Sequence, residues 1–311
     1  MRPQKRWKPV AATALAIILS SCGGGGGGST PSAPIGGASA PAPSAAPTPS
    51  PPAANAALPP APFGIVASQQ FQPFGWLHRG SVIEPLSPAL VDFRWSASAR
   101  TYEMVLPDIG RGRLVYQFPG SPNQLAFKIV ADDGSVLPVD GTLDDTRFYD
   151  PPYRSGLLSW ASRAPAPDQR GSAVFGFPTS AANVPGTGTG TVSYLAQSSA
   201  EGDALVIIDF AAGTIGGFVR LAWVDAWGPY APNRYELTPA RLVAGSNGFE
   251  ARFTVPGAPF EGVLRVQFMG ANGEELAIAW RGPIQDPYTN AWTDQAGVWL
   301  ARDCSRCETP T

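Results

Sequence analysis

Proline and glycine punctuate this chain so densely that no long helix can run through it: 34 prolines and 35 glycines are spread over 311 residues. A proline inside a helix removes a hydrogen bond and clashes with the preceding turn, at about 3 kcal/mol or more, and a glycine there costs about 1 kcal/mol relative to alanine. What survives between the breaks is short, apolar and strand-like. Leu114-Val115-Tyr116-Gln117-Phe118 and Leu125-Ala126-Phe127-Lys128-Ile129-Val130 are bounded by Pro-Gly-Ser-Pro-Asn and Asp-Asp-Gly, which are turn signals. Hydrophobic residues make up 44% of the chain, enough to fill a core. The formal net charge of −2 offers no basic face of the kind that grips nucleic acid.

The second half carries the clearer pattern. Eight strands are predicted at roughly 189–196, 204–210, 213–223, 235–243, 248–255, 260–269, 274–281 and 296–302. Alternation places Phe249, Ala251, Phe253 and Val255 on one face, with Glu250, Arg252 and Thr254 on the other. Leu264, Val266 and Phe268 likewise oppose Val263, Arg265, Gln267 and Met269. Asn272-Gly273 reads as a type I′ hairpin turn followed by solvated Glu274 and Glu275. Evenly spaced antiparallel strands of this number favour an up-and-down barrel or a sandwich. The predicted fold class is all-β: an eight-stranded antiparallel β-barrel over 166–303, preceded by a smaller, β-rich, handle-like domain over 63–165, with a tail at 304–311.

The amino terminus is an address. Arg2, Lys5, Arg6 and Lys8 precede an apolar run from Pro9 to Leu19, the build of a secretory signal. That run is too short for a spanning helix, which needs about 20 residues. Leu19-Ser20-Ser21-Cys22 resembles the lipobox of bacterial lipoproteins, which implies cleavage after residue 21 and acylation of Cys22. Each buried CH₂ of an acyl chain adds about 0.8 kcal/mol of membrane affinity, and two or more chains anchor stably. Removing residues 1–21 takes four of the 22 basic groups and leaves 18 against 24 acidic ones, a net charge of −6. Gly23 follows the cysteine and no retention aspartate stands there, so the expected location is the bacterial outer membrane, periplasmic or surface-facing. Residues 22–62 are nearly all Gly, Pro, Ala, Ser and Thr, and no charged residue occurs between Lys8 and Arg79. Such a stretch cannot bury enough apolar area to repay its ordering entropy, so it is predicted to be a disordered tether.

Two sets of motifs carry a family resemblance. Phe175-Gly176-Phe177-Pro178-Thr179-Ser180, then Val184-Pro185-Gly186-Thr187-Gly188-Thr189-Gly190-Thr191-Val192-Ser193-Tyr194, resembles the segment that leads into the β-barrel domain of transferrin-binding protein B. Phe268-Met269-Gly270-Ala271-Asn272-Gly273-Glu274-Glu275-Leu276 is similar to a hairpin of that family, and Ala296-Gly297-Val298-Trp299-Leu300-Ala301 to its final strand. The resemblance covers about residues 150–303. It implies a short, single-lobe, transferrin-binding protein-like solute-binding lipoprotein. It does not imply transferrin, because that family's receptor contacts come from long loops of its N-terminal lobe, and no segment of this one-lobe chain matches them.

Little in the sequence points to catalysis, and no catalytic residue, metal ligand or cofactor is assigned. His78 is the only imidazole and is read as structural. Asp144, Asp145 and Asp150 lack the alternate spacing of a calcium loop. Cys304 and Cys307 form a C-x-x-C pair away from any strand-to-helix turn, and a local disulfide is expected there in an oxidising envelope. The aromatic residues of the second half are the binding candidates. Trp227, Tyr230, Tyr288 and Trp292 lie in Pro- and Gly-rich segments between strands. Exposed aromatics on loops bury large area at low entropic cost, and the same residues can instead fill the core. The expectation is a non-enzymatic, lipid-anchored binding protein whose ligand is a protein or a small solute at the barrel mouth. The alternative is an envelope-structural or assembly lipoprotein without a specific ligand.

Overall fold

The computed structural model describes residues 65–304, apart from 66, 88, 118–123, 145–154, 165, 199–201, 226–227 and 231. The signal, Cys22, the tether, Trp227, Cys307, Asp145 and Asp150 lie outside the described residues.

Ten strands make the first sheet. They are β1 (Gln69–Phe71), β2 (Phe74–Arg79), β3 (Val82–Pro85), β4 (Asp92–Ser96), β5 (Thr101–Leu106), β6 (Gly110–Tyr116), β7 (Gln124–Val130), β8 (Val136–Asp144), β9 (Ser155–Ser162) and β10 (Gln169–Gly176). The order across the sheet is β1-β4-β5-β6-β7-β8-β9-β10-β2-β3. Only Gln72 and Pro73 separate β1 on one edge from β2 near the other. Three residue steps span at most about 11 Å, so the sheet must curl until its two ends meet. The core shows the meeting. Phe175 on β10 lies 5.5 Å from Phe71 on β1 and 5.0 Å from Phe93 on β4, ring centre to ring centre, edge to face. The expected division at residue 165 therefore falls too early, because β10 pairs with β9 and β2 inside this sheet.

A linker with two short 3₁₀ turns, Ala181–Asn183 and Thr187–Thr189, leads to the second sheet. Its strands are β11 (Thr191–Ser198), β12 (Gly202–Asp209), β13 (Thr214–Leu221), β14 (Val224–Asp225), β15 (Gly228–Pro229), β16 (Asn233–Thr238), β17 (Ala240–Arg241), β18 (Gly248–Phe253), β19 (Gly262–Met269), β20 (Glu275–Gln285) and β21 (Trp292–Asp303). Eight of them close a barrel in the order β11-β12-β13-β16-β18-β19-β20-β21, each antiparallel to the next, with β21 returning to β11. β14 and β15 form a separate two-residue ribbon, and β17 adds to β13. All eight predicted strands are present, and the predicted alternation holds: Ala251, Phe253, Leu264, Val266 and Phe268 face a packed interior. Trp280 stacks on Trp299 there, with ring centres 5.4 Å apart. Gly262 and Gly282 leave room for the Phe253 ring, since a Cβ at either would stand 2.0 or 2.7 Å from it.

β20 and β21 run longer than expected because Pro283 does not end the ladder. It pairs in register with Asp294. β19 stops at the level of Arg281, so beyond that point β20 has a neighbour on one side only, and such an edge tolerates proline.

The hairpin after β19 also departs from expectation. Gly270 and Gly273 have φ of 87° and 73°, while Asn272 is not among the residues with positive φ. A five-residue loop replaces the type I′ turn, and the Glu274 carboxylate accepts the amide of Asn272 at 2.8 Å and that of Ala271 at 3.3 Å. Glu275, expected in solvent, is 2% exposed, with Arg302 at 3.9 Å.

The two sheets share a seam. Ala277, Ala279, Met269 and Leu300 point outward from the barrel yet are buried, because Val174, Trp76 and Ile83 of the first sheet cover them. Arg281 locks the edge of this seam: it forks onto Asp294 at 2.7 Å and donates to the Ile83 carbonyl at 3.1 Å. A bulkier side chain at Ala279 would press on Trp76. Ala279→Leu should lower the unfolding free energy by about 1–3 kcal/mol, read from urea denaturation. An unchanged midpoint would mean that the seam is loose.

Candidate functional site

Three loops gather at one end of the barrel: 222–232 after β13, 254–261 after β18 and 286–291 after β20. The third is built by Asp286. Its carboxylate accepts the amides of Tyr288 at 2.8 Å and Thr289 at 3.2 Å, and its carbonyl accepts the amide of Asn290 at 2.9 Å. Asn290 takes φ of 58°, a conformation that asparagine tolerates. This tight loop carries Tyr288 at its tip, 64% exposed. Tyr230 is half-buried and meets Tyr288 edge to face, ring centres 5.8 Å apart, with a hydrogen bond between the two hydroxyls. The amide of Tyr230 donates to the Trp223 carbonyl at 2.8 Å.

Trp292 has a different setting. It opens β21, pairs with Gln285 and packs half-buried against the barrel core. Its indole lies 3.9 Å from where a Cβ on Gly257 would stand. The expectation that sheet pairing does not place this residue is corrected: it is a strand residue. Trp227 lies outside the described residues. Exposed Val224 and Phe260 stand in the same set of loops, and neither was singled out from sequence. Asp286 was missed too, although Asp-Pro ahead of Thr-Asn is the signal of a side-chain-capped turn.

The opposite end of the barrel is occupied by the motif segments themselves. Thr179 donates through Oγ1 to the Gly270 carbonyl at 2.9 Å and through its amide to Phe268 at 2.9 Å. The Tyr194 hydroxyl donates to the Gly273 carbonyl at 2.8 Å, and burial pushes its ionisation far up. A Cβ on Gly273 would fall 2.9 Å from Pro185. The linker and the hairpin are thus one structural knot. Cys304 sits at this end, 8% exposed and disulfide-bonded, its amide donating to Ser193 at 2.6 Å; the expected partner, Cys307, lies outside the described residues.

His78 is buried in β2, opposite Arg170 and Ile83. Burial, then the Arg170 charge and that of Arg281, outweigh Asp294 and Asp168 and hold its pKa at about 4. Among the described residues, no group of three or more His, Cys, Asp or Glu side chains is placed to hold a metal.

Tyr288→Ala should leave stability within about 0.5 kcal/mol, whereas Trp292→Ala should cost about 2 kcal/mol or more; thermal unfolding of the two variants checks the contrast. A pH series tests His78. Unfolded, it takes up a proton near pH 6.5; folded, only near pH 4. The unfolded state therefore gains the proton first, and stability falls as pH drops through that window. His78→Gln should show a shallower fall in Tm between those values. Equal slopes would assign the loss to carboxylates.

No family model matches the chain, and no curated protein matches it. Among solved structures it is similar to a variant of transferrin binding protein B from Haemophilus parasuis, at 14% identity and TM-score 0.31, covering 71% of this chain and 62% of that one. It is similar to transferrin binding protein B of Neisseria meningitidis at 11% identity and TM-score 0.32, covering 68% and 63%. The N-lobe of lactoferrin binding protein B of Moraxella bovis matches at 10% identity and TM-score 0.27, covering 77% of this chain and 100% of that one. The chain thus spans about three fifths of the first two proteins, which bear the name of the family that its motifs resemble.

Proposed function

We propose that this chain is a non-enzymatic lipoprotein, held on the bacterial outer membrane through acylated Cys22, that binds a protein partner at the loop end of its barrel. The observation that carries this reading is the Tyr230–Tyr288 pair, with Tyr288 64% exposed on a loop that Asp286 holds rigid. A rigid amphipathic ring loses little entropy on binding and buries a large area. The filled barrel interior argues against a solute inside the barrel and leaves the surface as the place for recognition. The sole histidine supports the non-enzymatic reading, since it is buried in a strand and held neutral.

The test is capture from envelope extracts by the full chain, with three proteins side by side. Tyr230→Ala combined with Tyr288→Ala should reduce retention of the captured partner by about 30-fold or more, the equivalent of about 2 kcal/mol, at nearly unchanged Tm. Cys22→Ala should move the protein from the detergent phase to the aqueous phase while it still captures the partner. Equal capture by the double variant, or no specific capture by any form, would overturn the binding reading. Membrane retention of the Cys22 variant would overturn the anchor.

A further inference from the structure

A cleft of about 280 Å³ opens where the first sheet meets the outer wall of β18 and β19. Phe74, Asn247, Phe249, Glu250, Arg265 and Gln267 are among its lining. It is on the flank of the barrel, away from the tyrosine loops, and it contains a cation with no ion-pair partner among the described residues. The Arg265 guanidinium lies over Phe74 at 5.3 Å and near Trp76 at 5.7 Å, measured to the ring centres. Its Nη1 is sealed from solvent and has no hydrogen-bond partner among the described residues. Glu250 stands directly opposite Arg265 in the β18–β19 register, yet the two form no salt bridge. Glu250 instead lies 3.7 Å from Arg252, which is shared with Glu261 at 3.3 Å.

Across an antiparallel pair, opposite charges ordinarily join. Here the aromatic rings hold the arginine aside, so a positive and a negative group line one cleft with space between them. An aromatic platform stabilises a guanidinium and fixes its plane, but an unpaired cation in a partly desolvated site is costly. A ligand carboxylate would remove that cost, because guanidinium and carboxylate match in geometry and charge. Glu250 then selects among anions. It repels a phosphate dianion, whereas an ammonium on the same ligand would sit against it.

We infer that this cleft binds a small amino-acid-like zwitterion, its carboxylate on Arg265 and its ammonium on Glu250. Phe74 supplies an apolar wall for the rest of the ligand, and Asn247 and Gln267 supply amide donors and acceptors at the rim. The volume suits a single amino acid. This site is independent of the protein-binding end.

Calorimetric titration of the full chain tests the assignment with four probes: L-leucine, 4-methylpentanoate, 3-methylbutylamine and inorganic phosphate. Leucine is expected to saturate one site per chain, with the deaminated acid and the decarboxylated amine each bound at least tenfold more weakly. Arg265→Lys should weaken leucine at least tenfold. Glu250→Gln alters an exposed side chain that carries no packing, so it reports on the site even if the arginine variant unfolds. It should weaken leucine at least tenfold and leave 4-methylpentanoate bound at least as tightly as before. Absence of saturable leucine binding at millimolar concentration would overturn the proposal. So would unchanged affinity in the folded Glu250 variant, or phosphate bound more tightly than leucine.

Discussion

Strand β20 is apolar on both faces, and the arrangement of the two sheets follows from that. Its inward residues Leu276, Ile278 and Trp280 fill the barrel, and its outward residues Ala277 and Ala279 lie under the first sheet. An outward-facing barrel strand ordinarily meets water and carries polar residues on that side. Two alanines instead make a flat strip against which Val174 and Trp76 close. Small side chains bring the two backbones near enough for dispersion contacts along the whole seam. Removing the first sheet would leave an apolar band on the barrel wall, so the two sheets depend on each other. The Arg281–Asp294 fork sits where this seam reaches solvent. Its geometry is good, but both partners are about one-third exposed, so its role is alignment more than stability.

Much of the barrel was legible because a closed barrel imposes a strict alternation on every strand. Phe249 to Val255 and Leu264 to Phe268 read correctly for that reason: one face meets the core and the other meets water. That alternation also puts Met269 on the outward face with Arg265 and Gln267, where it is nevertheless fully buried. Only a second sheet packed outside makes that position apolar, and local pattern has no access to it. Glu275 was misread for a related cause. Its place at the start of β20 looks like a turn margin in sequence, whereas its register partner on β21, Arg302, stands 3.9 Å away. The curled first sheet was underestimated because its strands are joined by loops of uneven length, and because β10 follows a proline-rich stretch that resembles a boundary.

The candidate site was legible in composition and not in geometry. Aromatics between strands can be anchors or fillers, and the difference is set by a few residues around them. Asp286 makes Tyr288 an outward projection by capping the loop beneath it. The continuation of β20 through Pro283 makes Trp292 a strand residue. Neither effect depends on the aromatic side chain itself, so no inspection of the aromatics alone could have separated the two. The motifs that carried the family resemblance prove structural: Thr179, Tyr194 and Gly273 tie the linker to a hairpin at the opposite end of the barrel. Motifs of that kind report on how the barrel is held and say little about what it binds.

This division between the two ends has a physical rationale. The knot at one end uses buried hydrogen bonds to backbone carbonyls, and leaving such carbonyls unpaired costs about 1–3 kcal/mol each. Substitution there is therefore penalised through folding. The tyrosine end hangs its side chains on loops whose shape is set by Asp286 and Asn290, so Tyr288 can change with little effect on the barrel. A scaffold closed firmly at one end frees the other to vary in sequence without loss of shape. The cleft beside Arg265 lies between these extremes. Its arginine is fixed by Phe74 and Trp76, which belong to the seam, so whatever occupies the cleft also touches the junction of the two sheets. Binding there and the stiffness of the seam are thermodynamically linked, because a ligand that favours the closed junction must be favoured by it in return.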